Sequence, residues 1–159
     1  MALVKKIPTL LSVPMPPDAT NMVWMKIAKE YCNTYLQGGM NAGSGSTTLP
    51  GIAATLGAEC IEATAAPNPV GMLTAVKLAK AFNNALMTYL SLFQTSPPIT
   101  APGVPQLIND FSSFMVAPDN NPLNFPKELG KALDTFTIAA IVIGVVPGVP
   151  PVPFAGPLS

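Results

Sequence analysis

Nineteen prolines constrain this 159-residue chain more than any other feature of its sequence. Proline fixes φ near about −65°, has no backbone N–H and pushes the preceding residue out of the helical region, so long helices fit best between prolines. Most of the prolines fall within residues 1–17, 96–105, 118–122 and 145–159. We therefore predict extended arms over 1–17 and 145–159, an extended linker over 96–105 and a turn over 118–122.

The segments between these proline clusters show the periodicity of helices. Apolar and aromatic residues follow one another at three- and four-residue steps in the first segment, at Trp24, Ile27, Ala28, Tyr31 and Tyr35. This spacing places them on one face of a helix, and we interpret the stripe as core packing rather than as an aromatic platform for a ligand. The predicted helices cover residues 18–37, 49–65, 69–95, 105–116 and 124–143.

The third predicted helix is the longest, at about 40 Å for a rise of 1.5 Å per residue. Such a helix is either the spine of a small bundle or an element that projects into a neighbour. Its polar face is thin, consisting of Lys77, Lys80, Asn83, Asn84 and Thr88. Its predicted apolar face consists of Met72, Val76, Leu78, Ala79, Phe82, Leu86, Tyr89, Leu90 and Phe93.

The fold class that these patterns indicate is all-α. We expect an irregular bundle of about five helices over residues 18–144, flanked by the proline-rich arms 1–17 and 145–159. The expected core residues are Trp24, Tyr31, Ile52, Leu78, Phe82, Leu86, Tyr89, Phe111, Leu133 and Phe136.

The charge content excludes several classes of function. Charged residues make up 10% of the chain, against about 25% in a typical soluble protein, and the eight basic residues balance the eight acids. All of the basic residues are lysines, dispersed along the chain, so no basic stripe and no arginine is available for phosphates or guanine. We predict no nucleic-acid partner.

The residues that carry catalysis and metal binding are also scarce. The chain has no histidine, so Cys32 and Cys60 lack the usual general base, and their spacing fits neither a redox motif nor a zinc site. We predict two buried free thiols, with a single disulfide as the alternative. The Gly/Ser-rich segment 38–48 lacks the Gly-Lys-Ser/Thr ending of a phosphate-binding loop, and we interpret it as a connector.

The remaining candidates for chemistry are isolated polar groups. Glu59 and Glu62 stand three residues apart on the second predicted helix, a pattern typical of a solvated face. No spacing supports a Ser–Lys pair from Ser44 or Ser46. The sequence also leaves a carboxylate metal site unconstrained, with Asp110, Asp119 and Asp134 as its candidate ligands. We therefore predict a protein that is not an enzyme, with no catalytic residue, no cofactor and no metal.

The low charge and the stiff arms together favour a subunit of a larger assembly. Neighbouring chains can cover a surface with few charges, and proline-rich arms lose little conformational entropy when they bind across another subunit. The expected partners are copies of this chain and other structural subunits, with no small-molecule substrate. The predicted interface residues are Val145, Val146, Val149, Val152, Phe154, Leu158, Leu10, Leu11 and Val13.

A small membrane-inserting or membrane-lesion protein that uses the apolar segment 135–159 is the alternative, because these residues carry no charge. The dense apolar run from Thr135 to Val146 is shorter than the roughly 20 residues of a membrane-spanning helix, and the prolines that follow it would leave carbonyls unpaired in lipid. At the other end of the chain, four prolines follow Lys5 and Lys6, so the N-terminal region lacks the apolar helix of a signal peptide. We expect cytoplasmic synthesis without export.

The C-terminal segment carries the one family resemblance. The run GVPPVPFAGPLS, residues 148–159, resembles the Pro/Gly-rich apolar tails of small virion structural proteins of contractile-tailed bacteriophages, and the small-residue-rich segment 133–146 is similar in character. The resemblance covers about the last sixth of the chain. It implies a tail or baseplate component of the virion, made in the host cytoplasm, and it transfers no site residues.

Overall fold

The computed structural model describes residues 7–8, 20–36, 48–65, 71–92, 101–116, 124–146, 150 and 152–157. Most of the predicted N-terminal arm lies outside these residues. The two arm residues that are described, Ile7 and Pro8, have helical rather than extended backbone, and Ile7 is fully buried in the core. An apolar side chain that reaches the core outweighs the preference of the neighbouring proline for an extended chain.

Five helices form the described bundle, which confirms the predicted all-α class. They are α1 (Thr20–Tyr31), α2 (Leu49–Thr64), α3 (Met72–Leu90), α4 (Val104–Val116) and α5 (Phe125–Ile138). A π-helical turn, Cys32–Leu36, extends α1. Each helix packs mainly against the next one in the chain. The Tyr31 hydroxyl lies 2.9 Å from Thr137 Oγ1, and this contact joins α1 to α5.

Helix α3 is shorter than the predicted segment 69–95. It has 19 residues, which correspond to about 28 Å, so its length alone no longer argues that it projects into a neighbour. Gly71 explains the late start, because its φ of 104° lies in a region that glycine favours and a helix does not use. The chain turns at Ser91 and Leu92, ahead of the Pro97–Pro98 pair.

The prediction that the fifth helix runs to residue 143 is wrong. Helix α5 ends at Ile138, and strand β1 (Ile141–Val146) then pairs antiparallel with strand β2 (Val152–Pro157). The β-branched residues that dominate β1 favour a strand over a helix. The prolines of β2 are compatible with this pairing because a two-stranded sheet has no central strand. We call this pair of strands the ribbon.

All ten predicted core residues are buried, each at most 7% exposed. Phe82 of α3 lies at the centre of the aromatic packing. Its ring centroid is 5.2 Å from that of Tyr31 and 6.0 Å from that of Phe111, both in edge-on geometry. These contacts join α3 to both α1 and α4, and edge-on aromatic pairs add to the free energy gained by burial.

A buried side chain also fixes the chain segment that enters α4. Asn83 of α3 is 7% exposed, and its Oδ1 accepts a hydrogen bond of 2.8 Å from the backbone N–H of Ala101. This bond satisfies a backbone donor at a buried position where no helix or strand supplies an acceptor. Asn83 therefore ties Ala101, at the entry to α4, to the middle of α3.

Replacing Asn83 with leucine should lower the free energy of unfolding by about 1–3 kcal/mol, because the buried Ala101 N–H loses its acceptor. Urea unfolding followed by circular dichroism measures the effect. The matched control is Asn84→Leu, one residue along the helix, because Asn84 is exposed and its bonds to Glu59 are 3.3–3.4 Å long. Equal losses for the two variants would contradict the role of Asn83.

Candidate interaction surface

The two cysteines lie inside the bundle, Cys32 in the π-helical turn that follows α1 and Cys60 in α2. Both are free and buried, as predicted. Burial raises the pKa of Cys32 to about 12, and burial together with the charge of neighbouring Glu59 also raises the pKa of Cys60. A reactive cysteine needs a lowered pKa, because the thiolate is the nucleophile. The environment of both thiols is therefore that of structural core residues.

The carboxylates interact with polar groups of neighbouring residues. Glu59 accepts hydrogen bonds from Asn84, and together with exposed Glu62 it lines a shallow groove opposite Lys77 and Lys80. Asp110 accepts a 2.8 Å bond from Gln106 of the same helix. The two hydrogen-bonded carboxylates are thus paired with side-chain amides on the surface of the bundle.

The predicted metal-site candidates are dispersed. Asp134 is buried at 2% exposure, Asp110 is half-buried on the surface of α4, and Asp119 lies outside the described residues. Over the described ranges, the structure brings together no group of three or more Asp, Glu, Cys or His side chains that could hold a metal ion. Ser44 and Ser46 also lie outside the described residues.

Exposed apolar side chains are the main surface feature of the bundle. Three of them, Met72, Leu73 and Val76, lie together in the first turns of α3, and they are 56%, 68% and 38% exposed. We call these three residues the α3 apolar patch. Met72 also accepts a hydrogen bond of 3.0 Å from Ser112 Oγ, which places the patch beside α4. In the part of the chain whose burial is described, the other large exposed apolar residues are Met22, Met25, Leu92, Ile138 and Ile141.

The position of the patch corrects the predicted apolar face of the third helix, which included Met72 and Val76, because both side chains are exposed. The buried face of α3 is formed instead by the residues in register with Phe82. Leu73 was absent from the predicted faces, although a signal for it exists in the sequence. Leu73 stands four and seven residues before Lys77 and Lys80, and this spacing places it on the polar side of the helix.

The ribbon contains four of the predicted interface residues. Val145 and Val146 belong to β1, and Val152 and Phe154 belong to β2. At the start of the ribbon, Ile138 and Ile141 are 45% and 58% exposed. The remaining predicted interface residues lie outside the described residues, namely Val149, Leu158, Leu10, Leu11 and Val13.

The ribbon makes its main contacts between its own two strands rather than with the helices of the described bundle. A lone two-stranded ribbon is at best marginally stable in water. Its two strands and their connection, residues 141–157, carry no charged side chain. The ribbon and the α3 apolar patch are thus two apolar features with few partners among the described residues.

The membrane alternative rests on the uncharged segment 135–159. Among the helices of the described ranges, none combines the length and the apolar character that spanning requires. Comparison with known proteins gave no match: no protein-family model matches the sequence, no curated protein matches it and no solved structure matches the fold.

Proposed function

We propose that this chain is a non-enzymatic structural subunit of a larger protein assembly, built from copies of itself together with other structural subunits. The α3 apolar patch is the observation that carries this proposal. Large apolar side chains that are exposed side by side mark surfaces that other proteins cover. The patch lies on a helix, so its backbone is already ordered and only the side chains lose conformational freedom when a partner binds.

The charge distribution supports the same function. Interface cores are depleted of charged residues, and this chain has only 16 charged residues in 159. In the described bundle several of them face each other across the groove between α2 and α3, where Glu59 and Glu62 lie near Lys77 and Lys80. Leu73 and Met72 lie at the start of α3, a turn before these lysines, and form an apolar area beside the charged groove.

The bacteriophage virion is the assembly that we propose, with the tail or baseplate as the location of the subunit. This part of the proposal is supported by the resemblance of residues 148–159 to the apolar tails of such proteins. Half of that segment, Val152–Pro157, forms strand β2 of the ribbon, and the main contacts of the ribbon are between its own two uncharged strands. Within a virion, neighbouring subunits would cover both the ribbon and the patch.

The test replaces the most exposed residue of the patch. Leu73→Glu should reduce the particle mass measured by sedimentation velocity at tens of micromolar, because a buried unpaired carboxylate disfavours the interface. The substitution does not weaken the helix, because an acid in the first turn interacts favourably with the helix dipole. A smaller mass therefore reports on the interface rather than on folding.

Ala54→Glu is the matched control, since Ala54 is an exposed helical residue of α2, remote in sequence from the patch. It adds the same charge to the same bundle, and the particle mass should equal that of the wild type. The proposal fails if the wild-type chain is a monomer. The patch loses its role if Leu73→Glu and the wild type sediment alike.

A further inference from the structure

The prolines of β2 determine which edge of the ribbon is open. In the observed register, Pro153 pairs with Val145 and Pro157 pairs with Ile141. Residues of an antiparallel pair alternate between positions that exchange N–H and C=O bonds and positions whose groups point away. Proline has no N–H to exchange, so Pro153 and Pro157 occupy the outward-pointing positions.

The bonds between the strands therefore come from the intervening positions, where Val142, Gly144 and Val146 pair with Gly156, Phe154 and Val152. The backbone groups of the other β1 residues point away from β2. These residues are Ile141, Ile143 and Val145. Among the described residues, no strand pairs with the outward N–H and C=O groups of these three residues.

The two outer edges of the ribbon differ in whether proline blocks the pairing of a further strand. On β2 the outward positions are Pro153, Ala155 and Pro157, so that only Ala155 carries an N–H. Prolines and charged residues are the usual means by which proteins block exposed strands. The outer edge of β1 has neither, since its sequence is IVIGVV, and within the described residues no third strand pairs with it.

We infer that the outer edge of β1 binds the same edge of a second copy of this chain, in an antiparallel pairing centred on Ile143. This inference rests on the proposed function, because it supplies one of the contacts between copies. With Ile143 opposite Ile143 of the second copy, Ile141 of each copy lies opposite Val145 of the other. Every outward donor and acceptor of both strands then has a partner.

Other alignments are less complete. Only shifts by two residues keep outward positions opposite each other, and each such shift leaves an outward pair unmatched. The absence of charge on β1 removes like-charge repulsion between identical strands. The resulting four-stranded sheet has the order β2, β1, β1, β2, and its two outermost edges are both blocked by proline. Pairing therefore stops at a twofold-symmetric unit and does not continue into a fibre.

A charge exchange at the centre of the pairing tests this inference. Ile143→Lys places two lysines opposite each other in the symmetric pair, and Ile143→Glu does the same with two carboxylates. Each variant alone should raise the dissociation constant of the pairing by about tenfold or more, as measured by sedimentation equilibrium. An equimolar mixture of the two variants should restore it, and native mass spectrometry should detect the mixed lysine–glutamate pair.

Ala155→Lys and Ala155→Glu are the matched controls, because Ala155 is the cross-strand partner of Ile143 and lies on the opposite outer edge. Both should pair as the wild type does. Equal weakening by the Ala155 variants would overturn the assignment of the edge. If the mixed Ile143 variants fail to pair, the partner is not a second β1, and the inference is overturned.

The outcomes separate this inference from the proposed function. A wild-type chain that assembles, with Ile143 variants that assemble equally well, would overturn the β1 pairing and leave the structural function intact. A wild-type chain that is monomeric would overturn both. Combining Leu73→Glu with Ile143→Lys should lower the particle mass further than either change alone, because the two contacts lie on different elements.

Discussion

Replacing Phe82 with alanine should lower the free energy of unfolding by about 3–5 kcal/mol, the largest loss of stability that we expect from a single substitution in this chain. Phe82 is fully buried, and its ring contacts Tyr31 on α1 and Phe111 on α4. Removing the ring eliminates both edge-on contacts and leaves a cavity where three helices meet. Neighbouring helices cannot close such a cavity without moving the backbone.

Urea unfolding checks this expectation, followed by circular dichroism at about 222 nm, where the signal reports helix content. All variants are compared at one protein concentration, because association stabilises the folded chain. Leu92→Ala is the control, since Leu92 is 42% exposed and its removal leaves no internal cavity. A loss below about 1 kcal/mol for Phe82→Ala would contradict the central position of this ring in the core.

Stability should also decline at alkaline pH because of the buried thiols. Burial raises the pKa of Cys32 to about 12 and also raises the pKa of Cys60. A thiol in the unfolded chain has a pKa of about 8.5. The folded chain therefore retains protons that the unfolded chain releases. The contribution of the two buried thiols to the free energy of unfolding is therefore fully present below about pH 8.5. Above that pH, each thiol lowers the free energy of unfolding by about 1.4 kcal/mol per pH unit.

Tyr31 should add to the decline above about pH 10, where a tyrosine in the unfolded chain ionises. Burial raises the pKa of Tyr31 in the folded chain, and its hydrogen bond with Thr137 opposes this effect only in part. Urea titrations between about pH 7 and 10.5 measure the slope. The free energy of unfolding of the double variant Cys32→Ala, Cys60→Ala should decline less steeply between about pH 8.5 and 10. An equally steep decline in that variant would contradict the role of the thiols.

The sequence predicted the helices and the core well because both depend on local periodicity. Residues at three- and four-residue spacing around Phe82 and Leu133 could be assigned to a buried face without knowledge of the neighbouring helices. The hydrogen bond from Ala101 to Asn83 was not predictable, since it joins the start of one element to the middle of another. The close approach of Gly103 to the backbone of Phe136 is of the same kind, because an added Cβ would lie 3.0 Å from the Phe136 carbonyl oxygen.

The candidate surface was only partly predictable. Low charge and the apolar C-terminal segment led to the prediction that the chain associates with others through residues such as Val145 and Phe154. These two residues lie in the ribbon, and their role in an interface stays a prediction. The pairing itself depends on a register between strands separated by a connecting segment, which composition does not encode. Met72 and Val76 were misassigned because hydrophobicity alone does not distinguish a face covered by the same chain from one left open.

The mass of the wild-type chain in solution tests the central claim most directly. Sedimentation velocity over a range from about 1 to 100 µM separates a monomer from an assembly, since association follows mass action. We predict a mass that is a multiple of 16.5 kDa and that rises with concentration. A single species of 16.5 kDa at every concentration would contradict the account, because both the α3 apolar patch and the outer edge of β1 would then remain uncovered.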